Sequence, residues 1–556
     1  MNNEIIVDQL ELLVKLWDLH GVNEFKSKNL AFATRGLDKY AHSIAEASEE
    51  ELLAIPGVGK VVIGIIKEVA TTGTCQDLEG ILEQTPAGLL SLLKIKGLGP
   101  KKVQAIWRDL GITELDDLLA ACEEGKLVQV KGISEAIQAN VLHYILFLKQ
   151  NASKLRLDKA HAVADTVITL LTKIYPRVEL VGDLSRNCEE ISSIDCMVLA
   201  ESSFGASLPL NEIEDLEEDF QNSSPFVWRG NLKNHLIPIQ LYFVSETDWA
   251  IQSFKLTSHP QHLALVGFDE LKLKGSFATE RDIYSQLNIP FIIPNMREGR
   301  SELEWAVNYQ ETDLIAFEDL KGCVHNHSTY SDGKNSLLDM AEACRAMGLS
   351  YFGIADHSQY AAYAGGLKPE RISDQHLEID SFNKTSSDFK ILKGIEADIL
   401  PDGSLDYDAS ILASFDYVVA SVHANLQMDE EKAMSRLLKA IENPFTTILG
   451  HPTGRLLLAR EGYPLQMSKI IDACAANRVV IELNASPYRL DLDWRYIHEA
   501  QEKGCLISIN PDAHEIAGLW DMKYGVEIAR KGGLLTKNTF NALSVEEFLG
   551  YKNKAN

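Results

Sequence analysis

The sequence predicts a multidomain protein with an all-α N-terminal region, an α+β middle and a C-terminal α/β barrel. Three observations carry this reading. From about residue 4 to 150, apolar residues recur three and four apart, the period of a helix face. Between 163 and about 245, short β-rich runs (VELVGDL, SIDCMVLAES, IPIQLYFV) alternate with polar segments. From 321 onward strands and helices alternate regularly, from CVHNHST and LLDMAEACRAMG to VVIELNA and CLISINPDAH, which implies parallel strands closing into a barrel or sheet.

Size and composition set the bounds. The 556 residues, 46% of them hydrophobic, suffice for about three to five domains with real cores. The N-terminal MNNEIIVDQL is acidic and amphipathic rather than a leader, and no apolar run is long enough to span a bilayer. Eight scattered cysteines without a CxxC pair point to reduced thiols and a cytoplasmic location. A net charge of −27 opposes bulk affinity for nucleic acid, which needs clustered lysine and arginine, and suits a protein that concentrates divalent cations.

Taken in order, the N-terminal region carries one device twice: Ile55-Pro-Gly57-Val-Gly59-Lys60 and Ile95-Lys-Gly97-Leu-Gly99-Pro-Lys101-Lys102. A glycine turn of this kind exposes backbone N–H groups at a helix N-terminus, where they can cradle a phosphate beside the lysines. Each copy resembles the helix-hairpin-helix motif, which grips the DNA backbone. A third copy, Val130-Lys-Gly-Ile-Ser134, lacks the second glycine and the trailing lysine and reads as structural. Residues 246 to 317 mix helix and strand signals.

The C-terminal region holds nine candidate metal ligands: His325, His327, Asp332, His357, Glu396, His423, His451, Asp512 and His514. Six of the chain's 15 histidines fall here, each beside a turn or at the end of an apolar run. His325-Asn-His327 places two imidazoles on one strand face, and Asp512-Ala-His514 repeats that spacing. A lone histidine on a strand is ordinarily a packing residue, but nine ligands in order at strand ends predict a multinuclear centre, at the end of the barrel where such sites lie. Imidazole with carboxylate suits Mn²⁺, Zn²⁺ or Fe, with Mg²⁺ possible. Arg455, in His-Pro-Thr-Gly-Arg, is either a bidentate clamp for a substrate phosphate or a structural arginine of the barrel.

In the order of its segments the chain resembles the bacterial family X DNA polymerases that carry a C-terminal PHP (polymerase and histidinol phosphatase) domain. The resemblance implies a helical lyase-like domain at 1–80, a fingers-like domain at 81–150, a nucleotidyltransferase-like palm at 151–245, a thumb at 246–317 and a PHP phosphoesterase domain at 318–556. Residues 279 to 305 resemble the thumb segment. The nine ligands match the PHP motifs position by position and imply three ions: one on His325, His327, Glu396 and Asp512, one on Glu396, His423 and His451, and one on Asp332, His357 and His514.

The palm departs from the family. Nucleotidyl transfer needs carboxylates converging on two Mg²⁺ ions, two of them at i and i+2 on one strand. At those positions stand Ser193 and Asp195, and at the third stands Gln240. Asp183 occupies the place of a triphosphate-binding serine, and Glu189 and Glu190, just before the strand, are the candidate substitutes. Ile65 occupies the lyase lysine's position, with Lys60 and Lys67 nearby. The expected function is therefore metal-dependent phosphoester hydrolysis at DNA 3′ ends (exonuclease or 3′-phosphatase) in repair, by a monomer, on a polymerase scaffold without polymerase or lyase chemistry. The alternatives are a bifunctional polymerase/3′-5′ exonuclease and a phosphatase for small monoesters.

Overall fold

The computed structural model describes residues 3–38, 40, 42–95, 97–200, 210, 213–270, 273 and 275–553, so Lys96 of the second hairpin lies outside the described residues. The chain forms two compact units, Met1–Ala152 and Ser153–Asn556.

The first unit is helical. Helix Asn3–His20 buries Leu10, Leu13, Leu16 and Trp17, and it shares a core with Ile63, Ile66 and Val69 of helix Lys60–Thr72 and with Val103 and Ile106 of helix Pro100–Leu110. The apolar residues of the latter two helices fall on one face, so burial of that face fixes them. Both begin at a glycine N-cap, Gly59 and Gly99, and both end at a left-handed glycine, Gly73 and Gly111.

The second unit opens with a five-stranded sheet made of β1 (Val178–Val181), β2 (Ile194–Leu199), β3 (Leu216–Glu218), β4 (Val227–Leu232) and β5 (Pro238–Val244), in the order β1-β2-β5-β4-β3. Only the β2–β5 pair is parallel, with Asp195 opposite Gln240. Helix Leu157–Leu171 covers the sheet with Leu157, Ala160, Val163, Ala164, Val167 and Leu171. Short helices follow, around a core of Phe254, Ile283, Tyr284, Ile292 and Trp305.

Two parallel sheets then build the barrel. One has the order β8-β7-β6, from β6 (Gly322–Asn326), β7 (Tyr351–Ile354) and β8 (Lys390–Leu392). The other runs β9-β10-β11-β12-β13, from β9 (Gly394–Asp398), β10 (Tyr417–Ser421), β11 (Ile448–Leu449), β12 (Val480–Asn484) and β13 (Ile507–Asn510). Parallel bridges Asn326↔Ala513 and His357↔Glu396 join their edges. Val324, Tyr351, Tyr417, Val419, Ile448 and Val480 pack together inside, with Phe540 and Phe548. Gly353 and Gly394 make room for Tyr417, since a Cβ on either would lie 2.5 or 2.3 Å from its ring or hydroxyl.

The sheet region and the barrel interlock within this unit. Lys531 is fully buried and bonds Glu298 and the carbonyls of Arg186 and Asn295. Trp305 Nε1 donates to the Gly533 carbonyl at 2.9 Å. Among the described residues no helix is long and apolar enough to cross a membrane.

Candidate metal centre

All nine candidate ligands come together in one ring at the C-terminal strand ends. The first pair does not sit on a regular strand: β6 is irregular between Cys323 and Asn326, and His325 takes a left-handed backbone at φ 59°. Asp512 (54°) and His451 (21°) do likewise, and Asp512-Ala-His514 lies past the end of β13. L-residues avoid this region, and where they are held in it the surroundings enforce the geometry. In the Ser-Asp-Gly turn that presents Asp332, a Cβ on Gly333 would lie 2.6 Å from the backbone of His327 and Ser328.

Glu396 is the hub. Its Oε1 lies 3.1 Å from Nε2 of His325, His423 and His451, and its Oε2 lies 2.9 Å from Nδ1 of His357. Asp512 Oδ1 is 3.0 Å from His327 Nε2 and 3.7 Å from His325 Nε2. Asp332 reaches His514 Nε2 at 3.4 Å and His357 Nε2 at 3.6 Å. Three sets have ligand atoms within 4.8 Å of one another: His327 with Asp332, His357 and His514; His325 with His327 and Asp512; and His357 with Glu396 and His423. His327 and His357 thus each join two sets, so the partition is more shared than the sequence suggested.

The donor chemistry fits divalent cations. His325 Nε2, His327 Nδ1, His357 Nδ1, Glu396 Oε2 and His451 Nδ1 are buried without a hydrogen-bond partner. Buried polar atoms normally find one, and an orphan costs about 1–3 kcal/mol. His451 Nε2 and His327 Nε2 do hydrogen-bond, to Glu396 and Asp512, but the close approach of His325 Nε2, His357 Nδ1 and Glu396 Oε2 without hydrogen bonds is what lone pairs show when they converge on a common point. Charge agrees with this. Burial opposes a proton on His325, yet Glu482, Glu396 and Asp512 hold its pKa well above the usual value. The same contest leaves His423 at about 10 and His514 at about 9. Burial, followed by the neighbouring His514 and His357, drives His327 down to about 3. Against burial, the surrounding imidazoles hold Glu396 and Asp512 well below the carboxylate range. A divalent ion would take over these protons' positions.

A second layer, missed in the sequence, aims the ring. Glu482 Oε1 lies 2.5 Å from His325 Nδ1, its Oε2 accepts the His451 amide at 2.6 Å, and Asn510 donates to Oε1 at 2.8 Å. Asp398 Oδ1 is 3.2 Å from His423 Nδ1, and His514 Nδ1 is 3.0 Å from the Asp512 carbonyl. Engaging one ring nitrogen turns the other inward. The available signals were a carboxylate inside the apolar run VVIELNA and Asp398 two residues after Glu396 on the same strand.

Arg455 is committed elsewhere. Its Nε donates to the Arg489 carbonyl at 2.9 Å, Nη1 to Asp493 at 3.1 Å and Nη2 to the Leu490 carbonyl. It therefore pins the 489–493 loop, the structural alternative, instead of offering a phosphate clamp. The guanidinium that borders the ring is that of Arg489, whose Nε is 3.6 Å from Asp512 Oδ2. Nothing in its Pro-Tyr-Arg context marked it.

Ser193, Asp195 and Gln240, expected as the residues of a polymerase site, are tied to one another and to Arg229. Ser193 Oγ donates to Asp195 Oδ2 at 3.1 Å, Gln240 Nε2 donates to Oδ1 at 3.0 Å, and Arg229 holds Gln240 Oε1 at 3.0 Å. Burial raises Asp195 to about 6 against those two hydrogen bonds. Neither candidate substitute converges on it. Glu189 accepts from Trp494 Nε1 at 3.0 Å and Arg495 at 2.6 Å, and Glu190 pairs with Lys154 at 3.0 Å. Asp183 pairs with Arg186 at 2.5 Å.

In the first unit Gly57 (φ 85°) and Gly97 (φ 92°) take the left-handed turn that both hairpins require, and the space beside Gly59, Gly97 and Gly99 is open. Lys60 and Lys101 are exposed at their helix starts, the half-buried Lys102 bonds the Gly97 carbonyl at 2.8 Å, and Lys101 pairs with Glu24 at 3.3 Å. In the third copy Ser134 Oγ accepts the Ile137 amide at 3.3 Å, so that N-terminus is already capped. Ile65 is buried, and Lys67 pairs with Glu49 at 3.2 Å.

Residues 324–486 match the PHP domain, residues 1–75 a helix-hairpin-helix domain and residues 89–141 a SAM-like helix-hairpin-helix tandem. The chain is 32% identical over 566 aligned residues to DNA polymerase/3′-5′ exonuclease PolX of Bacillus subtilis, covering 98% of each protein. A probable phosphatase of Caldanaerobacter subterraneus subsp. tengcongensis is 27% identical over 209 residues, 34% of this chain and 74% of that one. A probable phosphatase of Thermoanaerobacter sp. is 26% identical over 253 residues, 41% of this chain and 94% of that one.

Proposed function

The chain belongs to the bacterial family X DNA polymerase/3′-5′ exonuclease family with a C-terminal PHP domain, and from that membership we propose that its working reaction is metal-dependent hydrolysis at DNA 3′ ends. The substrate is a 3′-terminal nucleotide or a 3′-blocking phosphate, met during DNA repair in the cytoplasm. The observation that carries the proposal is the ring of nine ligands with its orphaned buried donors.

Three ions (Mn²⁺, Zn²⁺ or Fe) are assigned to the ring. When bound they lower the pKa of a water and bear charge on the phosphoryl oxygens. The chain's own residues supply the geometry. Glu482 and Asp398 fix two imidazoles, and Arg489 stands where it can meet a phosphate oxygen. The hairpins at Gly57–Lys60 and Gly97–Lys102 are assigned to the DNA backbone, which their open amides and lysines suit. The lyase-like, fingers-like, palm, thumb and PHP divisions at 1–80, 81–150, 151–245, 246–317 and 318–556 are kept as the working architecture.

Polymerase activity is assigned as lost. The support is that Asp195 is held by Ser193 and Gln240, while Glu189 and Glu190 are paired elsewhere. A second reading, a phosphatase for small monoesters, is favoured by the probable phosphatases matched over the C-terminal part alone. The test is a duplex with a 5′ label on the strand whose 3′ end is offered, incubated with Mn²⁺. Shortening or 3′-dephosphorylation that disappears in the His325→Ala/His327→Ala protein supports the proposal. Full activity in that variant contradicts the assignment of the ring, and turnover of small monoesters without any action on DNA supports the second reading.

A further inference from the structure

An exposed aromatic ring stands at the mouth of the metal centre on a braced loop. Tyr363 is 70% exposed, and its ring centroid is 6.3 Å from that of His357, a member of the nine-residue ring. The carboxylates of Asp398, Glu396 and Asp332 act electrostatically on its hydroxyl, and so does Arg489. The side chain therefore borders the same opening as the residues assigned to ions and phosphate.

The loop beneath it is built. Its neighbours Ala361, Ala364 and Leu367 are buried. Leu367 N donates to the His357 carbonyl at 2.8 Å, Gly366 N to the Ala361 carbonyl at 3.1 Å, and Tyr360 N to Asp406 at 3.0 Å. The chain crosses itself so closely that a Cβ on Gly366 would lie 1.9 Å from the Ser358 carbonyl oxygen. Tyr407 adds a bond from its hydroxyl to the Leu367 carbonyl. All this order presents one large, mostly exposed aromatic ring at the edge of the centre. Another exposed tyrosine, Tyr488 on the Arg489 loop, already has Arg156 stacked on it at 3.7 Å.

We propose that Tyr363 is the platform on which the base of the 3′-terminal nucleotide stacks while its phosphate lies on the ring. The proposal deepens the reading above and rests on it. A nucleobase is one sugar removed from its phosphate, and Tyr363 is one imidazole removed from the ligand cluster. Every base offers a π-face, so such a platform accepts any base and needs no sequence. It distinguishes a nucleotide end from a small phosphate monoester, which has nothing to stack.

The experiment uses the full chain with Mn²⁺ and two 5′-labelled duplexes that differ only at the 3′-terminal residue, one ordinary and one abasic. Base–aromatic stacking corresponds to roughly a ten-fold change or more. The unaltered protein should prefer the ordinary end by about that factor, mainly through KM. Tyr363→Ala should lose the preference and treat both ends alike, and Tyr363→Phe, which keeps the ring, should restore it. The melting temperature should not move, since the side chain is exposed. Equal loss on both ends in Tyr363→Ala, or an undiminished preference, overturns the platform. If the unaltered protein hydrolyses neither duplex but does hydrolyse a small monoester, the DNA-end reading fails first and the platform with it.

Discussion

His357 Nδ1 lies 2.9 Å from Glu396 Oε2, and neither atom makes a hydrogen bond. Two buried polar atoms at contact distance that do not bond each other are oriented toward something else. Glu396 meets three further imidazoles through its Oε1, those of His325, His423 and His451, the last by a hydrogen bond at 3.1 Å. The Glu396→Gln protein keeps the shape and removes the charge. It should bind fewer metal ions by elemental analysis and lose hydrolysis on the order of 100-fold or more, while its far-ultraviolet circular dichroism stays unchanged. Normal metal content and activity would remove Glu396 from the centre.

Glu482 touches His325 and the His451 amide without being one of the nine. If it orients ligands, Glu482→Gln should weaken metal affinity or activity by about 10–100-fold and leave residual turnover that excess Mn²⁺ partly restores. Metal titration of activity reads this directly. A loss that no metal concentration changes would mean that Glu482 acts only on folding.

Glu189, just before strand β2, joins the five-stranded sheet region to the barrel through Trp494 and Arg495. Against burial, Arg495 and Arg455 hold its pKa down at about 2. A depressed carboxylate contributes stability above its unfolded pKa and loses it as pH falls toward the folded value. Glu189→Ala should therefore lower the unfolding free energy by about 2 kcal/mol at pH 7, and by less as the pH is taken below about 4. Denaturant melts at the two pH values check this. An unchanged midpoint at pH 7 would mean that the contact adds nothing.

Asp195 shifts the other way. Burial raises it to about 6, so the fold favours its neutral form. Stability from that form is fully present below the unfolded pKa, near 3.8, and is lost as pH rises through about 6. Asp195→Asn should thus melt at nearly the native temperature at pH 4 but be stabilised by about 2 kcal/mol at pH 8. Thermal melts across that range read the difference, and destabilisation at pH 8 would show that the ionised carboxylate is needed.

Much of the architecture was legible because local pattern and global fold agree. The helix period at 4–150 and the strand-helix alternation after 321 appear where expected. What could not be read depended on contacts between distant residues. The left-handed turns at His325, His451 and Asp512 replace the flat strand face that His-x-His suggested. Arg455 and Arg489 were indistinguishable until the 489–493 loop showed which one its carbonyls consume. Glu189 read as a spare palm carboxylate because its partners, Trp494 and Arg495, lie about three hundred residues away.

The central claim is that hydrolysis at the ring, and not synthesis at the palm, is this protein's chemistry. The most direct measurement uses a 5′-labelled primer on a gapped duplex with Mn²⁺, with and without all four dNTPs. The account predicts that the primer shortens or loses a 3′-phosphate in both cases, with no extension when dNTPs are added. Primer lengthening that depends on dNTPs and is abolished by Asp195→Ala would contradict it.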